Sequence, residues 1–135
     1  MSIIDNKAHN QVTILVNSFA QNRITMDELI NWFESQDNQL KKDTLIQTWH
    51  FLQNTRPTQE EINEGINNSG QKDTYTAAVL LRRFNLKEAQ HKISALPDSE
   101  LSKTFKYVVS IFKTSDTRRR TLACKNQCQH FWHNV

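Results

Sequence analysis

The chain has 135 residues, 37% hydrophobic and 23% charged, a composition inside the globular range that excludes disorder. It carries a formal charge of +3 and an isoelectric point of about 9.0, and no apolar run approaches the roughly 20 residues of a membrane span. Its two cysteines, Cys124 and Cys128, are too few for a secreted disulfide framework. The start, Met-Ser-Ile-Ile-Asp, has no basic segment ahead of an apolar one, so the expectation is a soluble cytoplasmic protein with reduced thiols. The length fits one domain whose core stands without metal or disulfide help. Only Gly65, Gly70, Pro57 and Pro97 are available to make turns, which favours helices over hairpins.

Apolar residues follow the helical period almost throughout. Ala8, Val12, Leu15, Val16 and Phe19 form a first stripe, with Asp5 available as N-cap. "ITMDEL" starts a second helix: Thr25 and Glu28 have capping-box spacing, and Ile24 and Leu29 fit a hydrophobic staple. Leu29, Ile30 and Phe33 give that helix a buried side, with Trp32 alongside. "SQDNQLKKD" reads as a polar link to a third helix cored by Leu40, Leu45, Trp49 and Leu52 and flanked by Ile46 and Phe51. Pro57 disfavours helix at Arg56. Thr58 and Glu61 then make a second capping box for a short helix through Asn67, and Gly70 is its C-terminal signal.

"TYTAAVLLRRF" suits a buried helix or a buried strand, and its helical surroundings favour helix. Asn85 to Leu96 continues as an amphipathic helix stopped by Pro97. Asp98 can cap the next one, with Leu101, Phe105, Val108, Val109 and Phe112 inside. "KTSD" reads as a short link, with Ser115 or Asp116 capping a last helix from about Thr117. There is no internal repeat, low-complexity tract or long linker.

Charge is uneven along the chain. Residues 1–81 hold 6 Lys/Arg against 10 Asp/Glu, and residues 82–135 hold 11 against 4. Such asymmetry marks either a surface for acidic partners or two faces of one domain that attract each other.

Chemistry concentrates in the ending "CKNQCQHFWH", residues 124–133. Thiolate and imidazole are zinc ligands, and a structural zinc needs four of them. Cys124, Cys128, His130 and His133 are the candidate set. At about 100° per residue, a continuous helix puts the cysteines within about 40° of each other and the histidines on the other side. One residue between Cys128 and His130 is tight, and no glycine permits a sharp turn. Zinc therefore requires that the tail fold back, or that a distant histidine such as His9, His50 or His91 complete the site. The competing reading is cysteines packed as small hydrophobes.

Arg118, Arg119 and Arg120 span about 200° of a helix, so they do not all face one partner. Arginine suits forked contacts with carboxylate or phosphate. An internal ion-pair network, with acids such as Glu28, Glu34 or Asp37, is favoured over a phosphate site. Lys103, Lys106, Lys113 and Arg82–Arg83 extend a basic surface if the fold brings them together. There is no Gly-rich phosphate loop, His-Glu-x-x-His or Gly-x-Ser-x-Gly. Asp27–Glu28 and Glu60–Glu61 sit in first helical turns, where carboxylates serve capping and the helix dipole.

Phe19-Ala20-Gln21, Trp32-Phe33, "YTAAVLLRR", and the ending with Arg118-Arg119-Arg120, Cys124, Cys128, His130, Trp132 and His133 together resemble a bacterial family of small proteins known only as a domain of unknown function. The resemblance covers most of the chain. It implies a defined domain family and a role for the ending, and it brings no activity, substrate or catalytic residue.

These readings converge on a single compact all-α domain, residues 1–135, of about seven or eight short helices. The leading function is a small cytoplasmic non-enzymatic binding protein, acting through a protein partner or as a homo-oligomer, with Arg118, Arg119, Arg120 and Trp132 as the contact. One alternative is a zinc-binding protein using Cys124, Cys128, His130 and His133, with nucleic acid as a less favoured partner. Another is an enzyme using the terminal histidines.

Overall fold

The computed structural model describes residues 3–70 and 86–133, with side-chain surroundings for 11–70 and 88–121. Six α-helices and one 3-10 turn make up the described residues: α1 (Ile3–Ala20), α2 (Met26–Glu34), α3 (Asn38–Thr55), α4 (Gln59–Asn68), α5 (Leu86–Ser94), the turn Asp98–Glu100, and α6 (Leu101–His133). No strand occurs among them, so the all-α expectation holds. None of these helices is long and apolar enough to cross a membrane.

The architecture is organised around α6. At 33 residues it is about 50 Å long. Tyr107, Val108, Val109 and Ile111 have no exposed surface, and Leu101, Phe105 and Phe112 are buried with them. From Phe105 to Phe112 every residue but Lys106 is buried, so this stretch must be surrounded, and its neighbours are α3 and α4, with α1 and α2 beside them. Phe105 stacks on Phe33 of α2 with centroids 4.2 Å apart and planes 8° from parallel. Phe112 meets Phe51 of α3 at 6.2 Å. α4 crosses at Gly65, where an added Cβ would lie 2.5 Å from the Ile111 Cα. Only a residue without a side chain allows that approach. α5 rests on α3 and contributes Ala89 and Ile93 to the core.

Helix ends follow the local chemistry. Both capping boxes form: the Thr25 hydroxyl accepts from Glu28 N at 3.1 Å, and that of Thr58 from Glu61 N at 3.2 Å. In return the Glu28 and Glu61 carboxylates accept from Thr25 N and Thr58 N. Gly70, at φ 74°, follows α4 in the left-handed region. Asp37 caps α3 by accepting from Leu40 N at 2.9 Å.

Several boundaries differ from the sequence reading. Asp5 lies inside α1 and does not cap it. The link before α3 is only Ser35–Asp37, because Asp37 supplies a cap and Asn38 onward is helical. Asp98 opens a 3-10 turn and does not cap a helix; its carboxylate accepts from Asn38 Nδ2 at 2.9 Å, tying that turn to the start of α3. "KTSD" is no link: α6 runs through it unbroken. No glycine or proline follows Pro97, and the polar side chains are accommodated within the helix. The Thr114 hydroxyl donates to the Ser110 carbonyl at 3.0 Å, as helical threonines do. Asp116 pairs with Arg120 one turn on, at 2.8 Å. Two expected helices are thus one. The described residues therefore hold six helices rather than seven or eight, and the helix expected from "TYTAAVLLRRF" falls outside them.

Candidate functional site

The arginine triplet sits in the middle of α6, away from any helix start. Arg119 Nη1 and Nη2 each donate to one oxygen of Glu61, both at 3.3 Å. Its Nε donates to the Thr55 carbonyl at 3.0 Å, and Nη2 also reaches the Arg56 carbonyl at 2.8 Å. Those carbonyls end α3, where Arg56 takes a left-handed φ of 46°. One guanidinium therefore joins the end of α3, the start of α4 and the flank of α6. Glu61 has a side chain only 3% exposed, and a buried carboxylate needs such partners. Arg118 pairs with Glu64 and approaches Glu61 at 3.8 Å. With its amide oxygen turned toward the guanidinium, Gln21 accepts from Arg120 at 3.2 Å.

The triplet is thus held by internal carboxylates. They are Glu61, Glu64 and Asp116, not the anticipated Glu28, Glu34 or Asp37. Glu61 and Glu28 each close a capping box and are not poised as acid/base pairs. His50 and His91 are exposed. The backbone is helical through Cys124, Cys128, His130, Trp132 and His133, whose side chains lie outside the described ones. Among the described residues no group of three or more His, Cys, Asp and Glu is placed to hold a metal ion.

A cleft of about 530 Å³ opens where α1 turns into α2, facing α6 and the end of α4. The turn is built by a Schellman closure. Arg23 N donates to Ser18 O at 2.8 Å and Asn22 N to Phe19 O at 3.1 Å. Asn22 takes the left-handed position, φ 63°, which asparagine tolerates better than most residues. Arg23 and Asn22 line one wall, with Ile24 and Met26 at the start of α2. Lys113 and Thr114 of α6 line the other, and Asn68 comes from α4. The Lys113 ammonium lies over the Phe19 ring, 4.5 Å from its centroid. That cation–π contact fixes its position without neutralising it. Among the described residues neither Arg23 nor Lys113 has a carboxylate within ion-pair distance. Positive charge, carboxamide and hydroxyl groups around a half-apolar cleft are the chemistry of binding an acidic ligand.

Residues 11–135 match the model of a family described as "Family of unknown function (DUF5958)". The chain belongs to this family. Comparison of this DUF5958 member with curated proteins and with solved structures gave no match.

In the sequence Lys113 stands out only as an extension of a basic surface, and nothing there marks Arg23, Asn22 or Asn68. These four come from three separate parts of the chain. The available local signal was the polar "QNR" between the Phe19 stripe and the Thr25 capping box, a turn signature that carries no ligand information.

Proposed function

We propose that the chain is a small, non-enzymatic binding protein of the cytoplasm, and that its binding surface is the cleft between the α1–α2 turn and α6. The supporting observation is the pair Arg23 and Lys113, which line one cleft without carboxylate partners among the described residues. Arg118, Arg119 and Arg120 were the first expectation for a contact, but internal acids engage them. A partner that uses the triplet must compete with those carboxylates, whereas a partner at the cleft meets charge that is already free of them. The ligand on this reading is acidic, whether it belongs to a protein or to a smaller molecule.

Photo-crosslinking in the native cell tests the cleft. A benzoylphenylalanine is placed at Asn68, on the cleft rim, and in a second protein at His50, exposed on α3. The expected result is an adduct in the intact mass of the Asn68 protein that is missing from the His50 protein. Equal patterns, or no adduct at Asn68, would overturn the proposal.

A further inference from the structure

We infer that the ligand of this cleft is a small organic anion, whose acidic group sits between Arg23 and Lys113 and whose short apolar body lies over Ile24 and Met26. The inference rests on the cleft being the binding surface and narrows what occupies it.

Size comes first. About 530 Å³ is the scale of small-molecule sites, and this cleft is open to solvent on one side, with Asn22, Arg23 and Asn68 exposed at its rim. Macromolecular contacts spread over much larger and flatter areas. Pre-organisation comes second. The Lys113 ammonium is held on the Phe19 ring, while the Schellman bonds fix the backbone from which the exposed Arg23 side chain extends. A cation already in place, as Lys113 is, loses less freedom when an anion binds. The third observation is the neutral lining. Among the described residues, the carboxamides of Asn22 and Asn68 have no hydrogen-bond partner, which leaves donors for anionic oxygens. The helix start beside them is not the anion site. Its Thr25 and Glu28 N–H groups are taken by the capping box, and the Glu28 carboxylate is turned to Thr25. The fourth observation concerns Ile24 and Met26, which line the cleft yet are only partly buried against the core. They offer apolar surface to a ligand body.

The shared chemistry is an oxyanion on a small apolar frame, and either a carboxylate or a phosphate ester provides it. The test titrates the full chain with phenylacetate, phenyl phosphate and the neutral 2-phenylethanol, followed by amide chemical shifts and calorimetry. At least one anion should bind and move the resonances of residues 22–26, 68 and 110–114, and the stronger of the two names the source. Arg23→Gln and Lys113→Gln should each weaken it by about tenfold or more, the scale of one charge-assisted hydrogen bond. Lys113→Arg should keep most of the binding, and unchanged thermal midpoints would show that the variants fold.

Equal binding of 2-phenylethanol would overturn the inference, as would anion binding that ignores both glutamine variants. Tighter binding of an acidic heptapeptide than of either small anion would overturn it too, in favour of a protein ligand. In each of these cases an adduct at Asn68 leaves the cleft standing as the binding surface. Loss of that adduct removes both readings.

Discussion

Gly65→Ala sets two opposite effects against each other at one site. In an open helix this change is favourable by about 1 kcal/mol, because alanine is the better helix former. Here the new Cβ would lie 2.5 Å from Ile111 Cα, 2.7 Å from Ile111 N and 2.8 Å from Ile111 Cγ1. Carbon atoms pack best at about 3.5–4.0 Å, so the overlap is about 1 Å. A rotamer change at Ile111 clears only the third contact. The first two are backbone, so α4 must move off α6. Glu61 lies one turn earlier on α4, so the same movement stretches its 3.3 Å bonds to Arg119. Overpacking of this kind costs about 1–3 kcal/mol, and rigid backbone obstacles place it at or above the upper end. After the gain in helix propensity, a net loss of about 2 kcal/mol or more remains. For a chain of this length that lowers the melting temperature by about 7 °C or more. Urea and thermal unfolding followed by circular dichroism measure it. A Gly65→Ala protein as stable as the parent, or more so, would refute the close crossing. Full relief of the loss in an Ile111→Ala background would show that the side chain, not the backbone, was the obstacle.

Arg119→Ala should cost about 2–4 kcal/mol in urea unfolding. It removes the forked partner of the buried Glu61, leaving it, among the described residues, only Arg118 at 3.8 Å and the Thr58 N–H, and takes a donor from the Thr55 and Arg56 carbonyls. Arg119→Lys should recover little, because an ammonium cannot reproduce the fork; full recovery would reduce the junction to simple charge. Thr25→Ala should lose about 1 kcal/mol as one cap hydrogen bond goes, and thermal unfolding that shows no loss would count against the capping box. Asp116→Pro tests the continuity of α6. Proline is welcome at the first position of a Ser115-capped helix but costs about 3 kcal/mol or more inside one. Asp116→Ala is the control for the Arg120 pair, and a proline variant no less stable than that control would argue for a break at "KTSD".

The elements that could be read from sequence are those whose signals are local. Thr25–Glu28 and Thr58–Glu61 announce helix starts because a capping box is complete within four residues. Leu101, Phe105, Val108, Val109 and Phe112 mark one face of α6 through their period alone. "KTSD" misleads because serine and aspartate cap helices and also sit inside them. The choice depends on Ser115 being buried against α3, where its hydroxyl reaches the Thr55 carbonyl at 3.4 Å. The pairing of Arg119 with Glu61 joins residues 58 positions apart, and no spacing rule reaches that far. The cleft was hidden for the same reason. Arg23 and Lys113 are ordinary solvated residues in a linear reading, and they acquire meaning only when α1, α4 and α6 meet.

The central placement of α6 also orders events during folding. It is the last of the described helices in the chain, yet α1 to α4 lean on it. During synthesis α1 to α4 emerge with apolar faces such as Leu29, Ile30 and Phe33 and have no axis to bury them on. The Thr55 and Arg56 carbonyls likewise wait for Arg119. Contacts this distant in sequence make a helical protein fold more slowly than its helix content suggests, and they lengthen the interval in which exposed apolar surface invites aggregation. A ribosome-stalled chain ending before Leu101 should therefore be sensitive to protease and bound by holding chaperones, and release of α6 should convert it to the compact state in one cooperative step.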